Sequence, residues 1–230
     1  MKQTDKAEGH RKLRSYVLRA ARMSNLQRRS YNQLLPLYSV PYSGSEISLR
    51  EIFPGASRYI LEIGFGMGEA TVRLADENPE VAYLGIEVHK PGVGKVLSEI
   101  ERLSLDNLRI INHDAVEVFQ NMIPDRILDG IHIFFPDPWP KKKHHKRRLI
   151  QKPFVDLIAP KLVPGGYLYI CTDWEEYAEQ ILAVCSEAAG LENAYTDFAE
   201  HQKWRPRTKF ESRGLDKSHR IREVYFTKTT

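Results

Sequence analysis

Tyr59-Ile60-Leu61-Glu62-Ile63-Gly64-Phe65-Gly66-Met67-Gly68 decides how this chain folds. An apolar run of strand length enters three glycines at alternate positions, and Glu69–Asn78 follows with helical spacing. Strand, sharp turn and helix in immediate succession open an α/β unit. Glycine lets the backbone turn tightly and approach a ligand closely, though a tight strand-to-helix turn explains the cluster equally well. The spacing is Gly-x-Gly-x-Gly, not the Gly-x-Gly-x-x-Gly of dinucleotide sites.

The alternation continues downstream. Strands are predicted over Ala82–Glu87, Leu108–Asn112, Ile131–Phe135, Gly166–Thr172, Glu192–Phe198 and Glu223–Thr227. Helices are predicted over Val93–Leu105, Ala115–Met122, Leu149–Leu162 (interrupted by Pro153 and Pro160) and Glu175–Ala189. Short strands alternating with helices predict a mostly parallel seven-stranded sheet with helices on both faces, and ligands in such sheets bind beyond the carboxyl ends of the strands.

Upstream, residues 1–12 are polar, and helical spacing begins at Leu13 with Tyr16, Val17 and Ala20. Pro36, Pro41 and Gly44 are expected to break the chain into a connector. The organisation expected is a basic, partly disordered segment over 1–35 and a single domain over 36–230.

Composition sets the remaining bounds. A chain of 230 residues with 42% hydrophobic content can bury a full core. Its two cysteines, Cys171 and Cys185, are too few for a disulfide scaffold or a Cys-rich zinc site, and both read as buried free thiols. No apolar stretch has the length of a signal peptide or membrane span, so the cytoplasm is the expected location.

Acids recur at or just past five successive strands: Glu62, Glu87, Asp114, Asp137 and Asp173. Glu87 follows Gly64 by 23 positions, close to where a carboxylate holds a ribose diol. Asp114 could meet an adenine amine, although Asp114 and Asp173 are equally readable as helix N-caps. No metal is expected, because no His/Cys pair has ligand spacing and His144-His145 lies in a cationic run.

The fourth strand leads into Phe134-Phe135-Pro136-Asp137-Pro138-Trp139-Pro140, and then into Lys141-Lys142-Lys143-His144-His145-Lys146-Arg147-Arg148. Prolines restrict their own φ and the residue before them, so Asp137 is held in a stiff turn. Trp139 either packs under a base or closes the turn. The basic run reads as a grip on phosphates or as a solvated loop.

Three segments concentrate the positive charge. Residues 1–30 hold nine Lys/Arg against two acids, 141–148 six against none, and 201–230 nine against three, a net +19. The rest carries −15, giving +4 overall. An acidic body with three basic segments points to an extended polyanion. The glycine spacing, the string of acids and the absence of a phosphate-gripping Lys-Ser/Thr suit a cationic, phosphate-free cofactor such as S-adenosylmethionine better than a nicotinamide dinucleotide.

Six stretches carry a resemblance: Glu62–Gly68, Gly85–Gly94, Asn112–Ala115, Phe134–Arg148, Cys171–Trp174 and Thr208–Gly214, with Arg14–Val17 beside them. They resemble the TrmB-type tRNA (guanine-N7-)-methyltransferases, a family of Rossmann-like class I methyltransferases. The resemblance implies methyl transfer from S-adenosylmethionine to guanine N7 in tRNA, usually at position 46 of the variable loop. It implies that Glu62, Gly64, Gly66, Gly68, Glu87, Asp114 and Asp137 bind cofactor, Asp137 also being the catalytic residue. By the same resemblance Lys141, Asp173, Thr208, Lys209, Phe210 and Glu211 contact substrate. Lys143, His144, His145, Lys146, Arg147 and Arg148 contact RNA. A monomer or homodimer is expected. Asp216-Lys217-Ser218-His219 departs from the family's Arg-Leu-Gly-His pattern.

Overall fold

A computed structural model describes residues 15–16, 22–207, 211 and 220–229. The chain passes in order through α1 (Asn25–Tyr38), α2 (Leu49–Ile52), β1 (Arg58–Ile63), α3 (Glu69–Glu77), β2 (Val81–Ile86), α4 (Lys90–Leu103), β3 (Leu108–Ile111) and α5 (Ala115–Asn121). It continues through β4 (Leu128–Phe134), a 3-10 helix over Lys142–Arg147, α6 (Lys152–Ile158), β5 (Leu162–Thr172), α7 (Glu175–Ser186), β6 (Leu191–Asn193) and β7 (Arg222–Lys228).

The seven strands form one sheet in the order β3-β2-β1-β4-β5-β7-β6. All neighbours from β3 to β5 are parallel, and β7 runs antiparallel between β5 and β6. Every residue of β2 is buried, as expected of a central parallel strand covered on both faces. One apolar core packs Phe119, Phe154, Ile158 and Ile181 of α5, α6 and α7 against the sheet. The opposite core packs Leu34, Leu74, Leu97 and Ile100 of α1, α3 and α4. Strand order reverses between β1 and β4, so their carboxyl ends diverge and leave a crevice.

Three sequence expectations change. First, Pro36 does not end the N-terminal stretch. Helix α1 begins at a reciprocal cap, where Ser24 Oγ accepts from Gln27 N (3.2 Å) and Ser24 N donates to Gln27 Oε1 (2.8 Å), and it runs through Pro36 to Tyr38. Pro36 has no N–H and cannot bond the Asn32 carbonyl, yet the helix continues past it. Helix α1 therefore crosses the expected boundary at residue 35 and packs on α4. Second, Pro153 lies in the first turn of α6 and starts that helix instead of interrupting it, while Pro160 falls in a 3-10 turn after its end. Third, the strand expected over Glu192–Phe198 shrinks to Leu191–Asn193, with a single further bridge from Ala199 to Glu223. The helix expected from Leu13 lies largely outside the described residues.

The α1–α4 contact depends on Gly94. A Cβ there would lie 2.3 Å from the Gln27 carbonyl oxygen, a backbone atom that cannot swing aside. Gly94→Ala should force α1 away and destabilise the protein by about 1–3 kcal/mol. Thermal unfolding tests this, and a melting temperature at the parent value would contradict the contact.

Candidate active site

The glycine turn after β1 is built from left-handed backbone, with φ of +73° at Gly64, +57° at Gly66 and +74° at Gly68. Side-chain-bearing residues adopt this region only with strain. Glu87, just past β2, holds the turn. Its Oε2 accepts from Gly66 N at 2.8 Å, and its Oε1 accepts from Val88 N (2.7 Å) and His89 N (2.8 Å). On the far side a Cβ at Gly92 would meet the Gly66 carbonyl oxygen at 1.8 Å, so α4 approaches the turn backbone to backbone.

Gly64 and Glu87 open onto a cleft of about 200 Å³ at the β1–β4 crevice. Its walls include Ile63, Ile86 and Ile133 below, His113 beside β3, and Asp137 at the end of β4. Asp137 is exposed, and the turn carrying it is tightly bent: Phe135 and Trp139 have φ of +51° and +47°. Such conformations persist where the surroundings over-determine them, and they cluster at functional sites. Phe135 N donates to Cys171 O at 2.8 Å, tying the turn to β5. The Trp139 ring is already occupied. Arg147 lies 4.0 Å above it, His144 meets it edge-on, and its Nε1 donates to Ser15 O at 3.1 Å. Trp139 thus closes the turn and joins it to Ser15–Tyr16, which also line the cleft.

The other expected cofactor residues stand elsewhere. Gly66 and Gly68 shape the turn without lining the cleft. Asp114 is the N-cap of α5, its Oδ1 accepting from Val116 N at 2.8 Å. His113, one position earlier, faces the cleft instead. Its ring stacks on Tyr42 (3.8 Å between centroids), and its Nε2 lies 2.6 Å from Glu117 Oε2. Glu62 is buried beneath the turn, where its Oε2 accepts from Thr71 Oγ1 at 2.7 Å. Burial pushes its carboxyl up to about 8, opposed by the Thr71 hydrogen bond and aided by the nearby Glu87 charge.

The basic run divides by burial. Lys141, Lys143 and Lys146 are exposed on or beside the 3-10 helix, and His144 and His145 are half-buried. Desolvation, then the charges of Lys143, Lys141, Arg147 and Lys146, hold the His144 imidazole below its ordinary range. Arg147 donates to Tyr16 O at 3.3 Å as well as covering Trp139. Arg148 corrects the sequence reading. Its side chain is 1% exposed and points inward beneath the Pro-Asp-Pro turn, so it is not placed to grip RNA. The apolar Leu149-Ile150 that follows was the signal of its burial.

Of the expected substrate residues, Asp173 lies at the end of β5 beside Trp174, Glu176, Arg220 and Arg222 in a second, more open cleft. Glu211 is a further correction. It is buried, and Arg205 clasps both its oxygens at 2.6 and 2.9 Å. The same guanidinium reaches Glu223 at 2.7 Å. Burial raises the Glu223 carboxyl, but hydrogen bonds from Tyr169 and His201 and the Arg205 charge outweigh it and hold it below its ordinary range. This buried network joins His201, Arg205 and Glu211 to Glu223 of β7, which Tyr169 of β5 also contacts. Thr208, Lys209 and Phe210, and the divergent 215–219 stretch, lie outside the described residues. Among the described residues no group of three His, Cys, Asp or Glu could hold a metal, and no helix is long and apolar enough to cross a membrane. Cys171 and Cys185 are buried and free.

The raised Glu62 carboxyl has a thermodynamic signature. The fold favours its protonated form, so the stabilisation is complete below the ordinary value of 4.5 and is lost as pH rises through about 8. The parent protein should lose stability relative to Glu62→Gln across that window, by up to about 1.4 kcal/mol per pH unit. Parallel curves in denaturant unfolding between pH 5 and 8 would show Glu62 to be ionised in the fold.

Known proteins bear on this geometry. Residues 56–224 match a family described as putative methyltransferase. The chain is 52% identical over 219 residues to a tRNA (guanine-N(7)-)-methyltransferase of Nitrosospira multiformis, covering 95% of this chain and 96% of that one. It is 53% identical to the enzyme of the same name from Nitrosomonas eutropha, covering 95% and 98%. The crystal structure of the 16S rRNA methyltransferase KamB shares the fold at a TM-score of 0.59 and 14% identity, over 79% of this chain and 93% of that one. At half its residues shared over nearly full length, and with the glycine turn, Glu87 and Asp137 assembled at one crevice, the chain belongs to the tRNA (guanine-N(7)-)-methyltransferase family.

Proposed function

We propose that this protein transfers a methyl group from S-adenosylmethionine to N7 of a guanosine in tRNA, at position 46 of the variable loop. The observation that carries the reading is the cleft itself: two carboxylates, Glu87 and Asp137, face one crevice from the ends of β2 and β4, and the basic ridge begins four residues beyond Asp137.

The cleft suits such a cofactor. A Cβ at Gly64 would meet nothing within 4 Å, so the backbone is open to a ligand there. Ile63, Ile86 and Ile133 offer an apolar floor, Glu87 keeps one acceptor position beyond its three backbone bonds for a hydroxyl, and Asp137 offers charge to a cation. When bound, S-adenosylmethionine supplies an electrophilic methyl on a sulfonium. Guanine N7 presents an in-plane lone pair and no proton, so its attack needs no general base. The protein's work is positioning and stabilising the positive charge that develops on the purine, which the Asp137 carboxylate does from the cleft rim. The exposed Lys141, Lys143 and Lys146 hold the phosphate backbone nearby. N7 lies in the deep groove of an RNA helix, so the guanosine is exposed or extruded before reaction.

Purified protein incubated with methyl-labelled S-adenosylmethionine and total tRNA should produce 7-methylguanosine, read by nucleoside mass spectrometry. Asp137→Ala should lower single-turnover transfer by about 10²–10³ with little change in melting temperature, because the residue is exposed. Label on protein instead of tRNA, or parent-like turnover by the variant, would contradict the reading.

A further inference from the structure

The innermost arginine of the basic run is bound from both sides. Arg148 Nε donates to the Pro138 carbonyl at 2.8 Å, one residue past Asp137. Its Nη1 donates to Gln180 Oε1 at 2.6 Å, its Nη2 lies 3.1 Å from His145 Nε2, and its guanidinium sits 4.8 Å above the Tyr177 ring. Glu176 Oε1 stands 3.7 Å away. Tyr177 and Gln180 are three residues apart and share one face of α7. The same two side chains fix the chain beyond the arginine: Tyr177 Oη accepts from Ile150 N (3.0 Å), and Gln180 Nε2 donates to Ile150 O (3.0 Å).

We infer that Arg148, Gln180 and Tyr177 form a brace from α7 to the Pro-Asp-Pro turn, and that Arg148 and Gln180 are positioning residues for Asp137. The inference rests on the methyl-transfer reading of Asp137. Neither Pro136 nor Pro138 has an N–H, so the turn has few backbone donors with which to fix itself. Phe135 and Trp139 nevertheless hold left-handed conformations at either end. The Pro138 carbonyl is an acceptor inside that turn, and a planar guanidinium locked by a ring and an amide holds it with little freedom. The basic run thereby has two functions: the exposed lysines face outward to phosphates, and Arg148 faces inward to the turn.

Arg148→Gln, Gln180→Leu and Gln180→Glu test this in single-turnover transfer at saturating tRNA, with tRNA affinity measured against salt. The doubly neutralised Lys143→Ala/Lys146→Ala protein serves as the phosphate-contact comparator. Arg148→Gln and Gln180→Leu should slow transfer by about tenfold or more while tRNA affinity and its salt slope stay at parent values. Gln180→Glu keeps an acceptor for Arg148 but loses the donor to Ile150 O, so it should recover the rate in part. A parent rate in Arg148→Gln, with a salt slope shallower by about 0.9 as for each lysine of the comparator, would make Arg148 a phosphate contact and overturn the brace. Should Arg148→Gln not fold, the Gln180 pair decides: equal rates in Gln180→Leu and Gln180→Glu overturn the brace. Failure of the parent itself to methylate tRNA would instead contradict the methyl-transfer reading. Amide exchange of residues 134–141 then judges the brace, being faster in Gln180→Leu than in Gln180→Glu if it exists and equal if it does not.

Discussion

The Glu87 carboxylate is the point on which the site depends. It accepts three backbone N–H groups, one from the glycine turn after β1 and two from its own turn after β2. Charge-assisted bonds of this kind are about twice as strong as neutral ones, and here they join two strand ends that otherwise meet only along the sheet. The turn they fix is left-handed at three glycines and is backed by α4 at Gly92, where no side chain fits. From that junction the cleft extends across the crevice to Asp137 in the turn after β4. Glu62, buried beneath and pushed toward its neutral form, spares the junction a second full negative charge.

Much of this was legible in the sequence because it follows from periodicity. Alternating apolar runs and helical spacings gave the seven strands and their helices, and strand ends located Glu87 and Asp137. The N-terminal helix was not legible, because Pro36 reads locally as a breaker, whereas the Ser24 cap and the packing of α1 on α4 support the helix around it. Pro153 misled in the opposite direction: the same residue that interrupts a helix interior is favourable in a first turn. Distinguishing the two requires knowing where the helix starts, which tertiary packing decides.

Site residues were harder to read because residue type does not reveal burial. Arg148 and Lys146 are both cations in one run, yet one braces a turn and the other faces solvent. Glu211 was expected at the substrate, and Arg205 clasps both its oxygens. Asp114 has the chemistry to meet adenine, but it caps a helix, leaving His113 on the cleft wall. For Arg148 and Glu211, partners within the protein engage groups whose burial residue type alone does not reveal. The total charge of the basic segments therefore overstates what RNA can use.

We propose that one carboxylate, Glu87, both fixes the glycine turn and receives the cofactor. Calorimetric titration of S-adenosylmethionine into parent and Glu87→Gln protein tests it most directly, with tRNA affinity measured in parallel. The variant should bind cofactor more weakly by about 1.5–3 kcal/mol, the contribution of a hydrogen bond to a charged group, and should bind tRNA as the parent does. Equal cofactor affinity in the two proteins would confine Glu87 to a structural role and contradict the account.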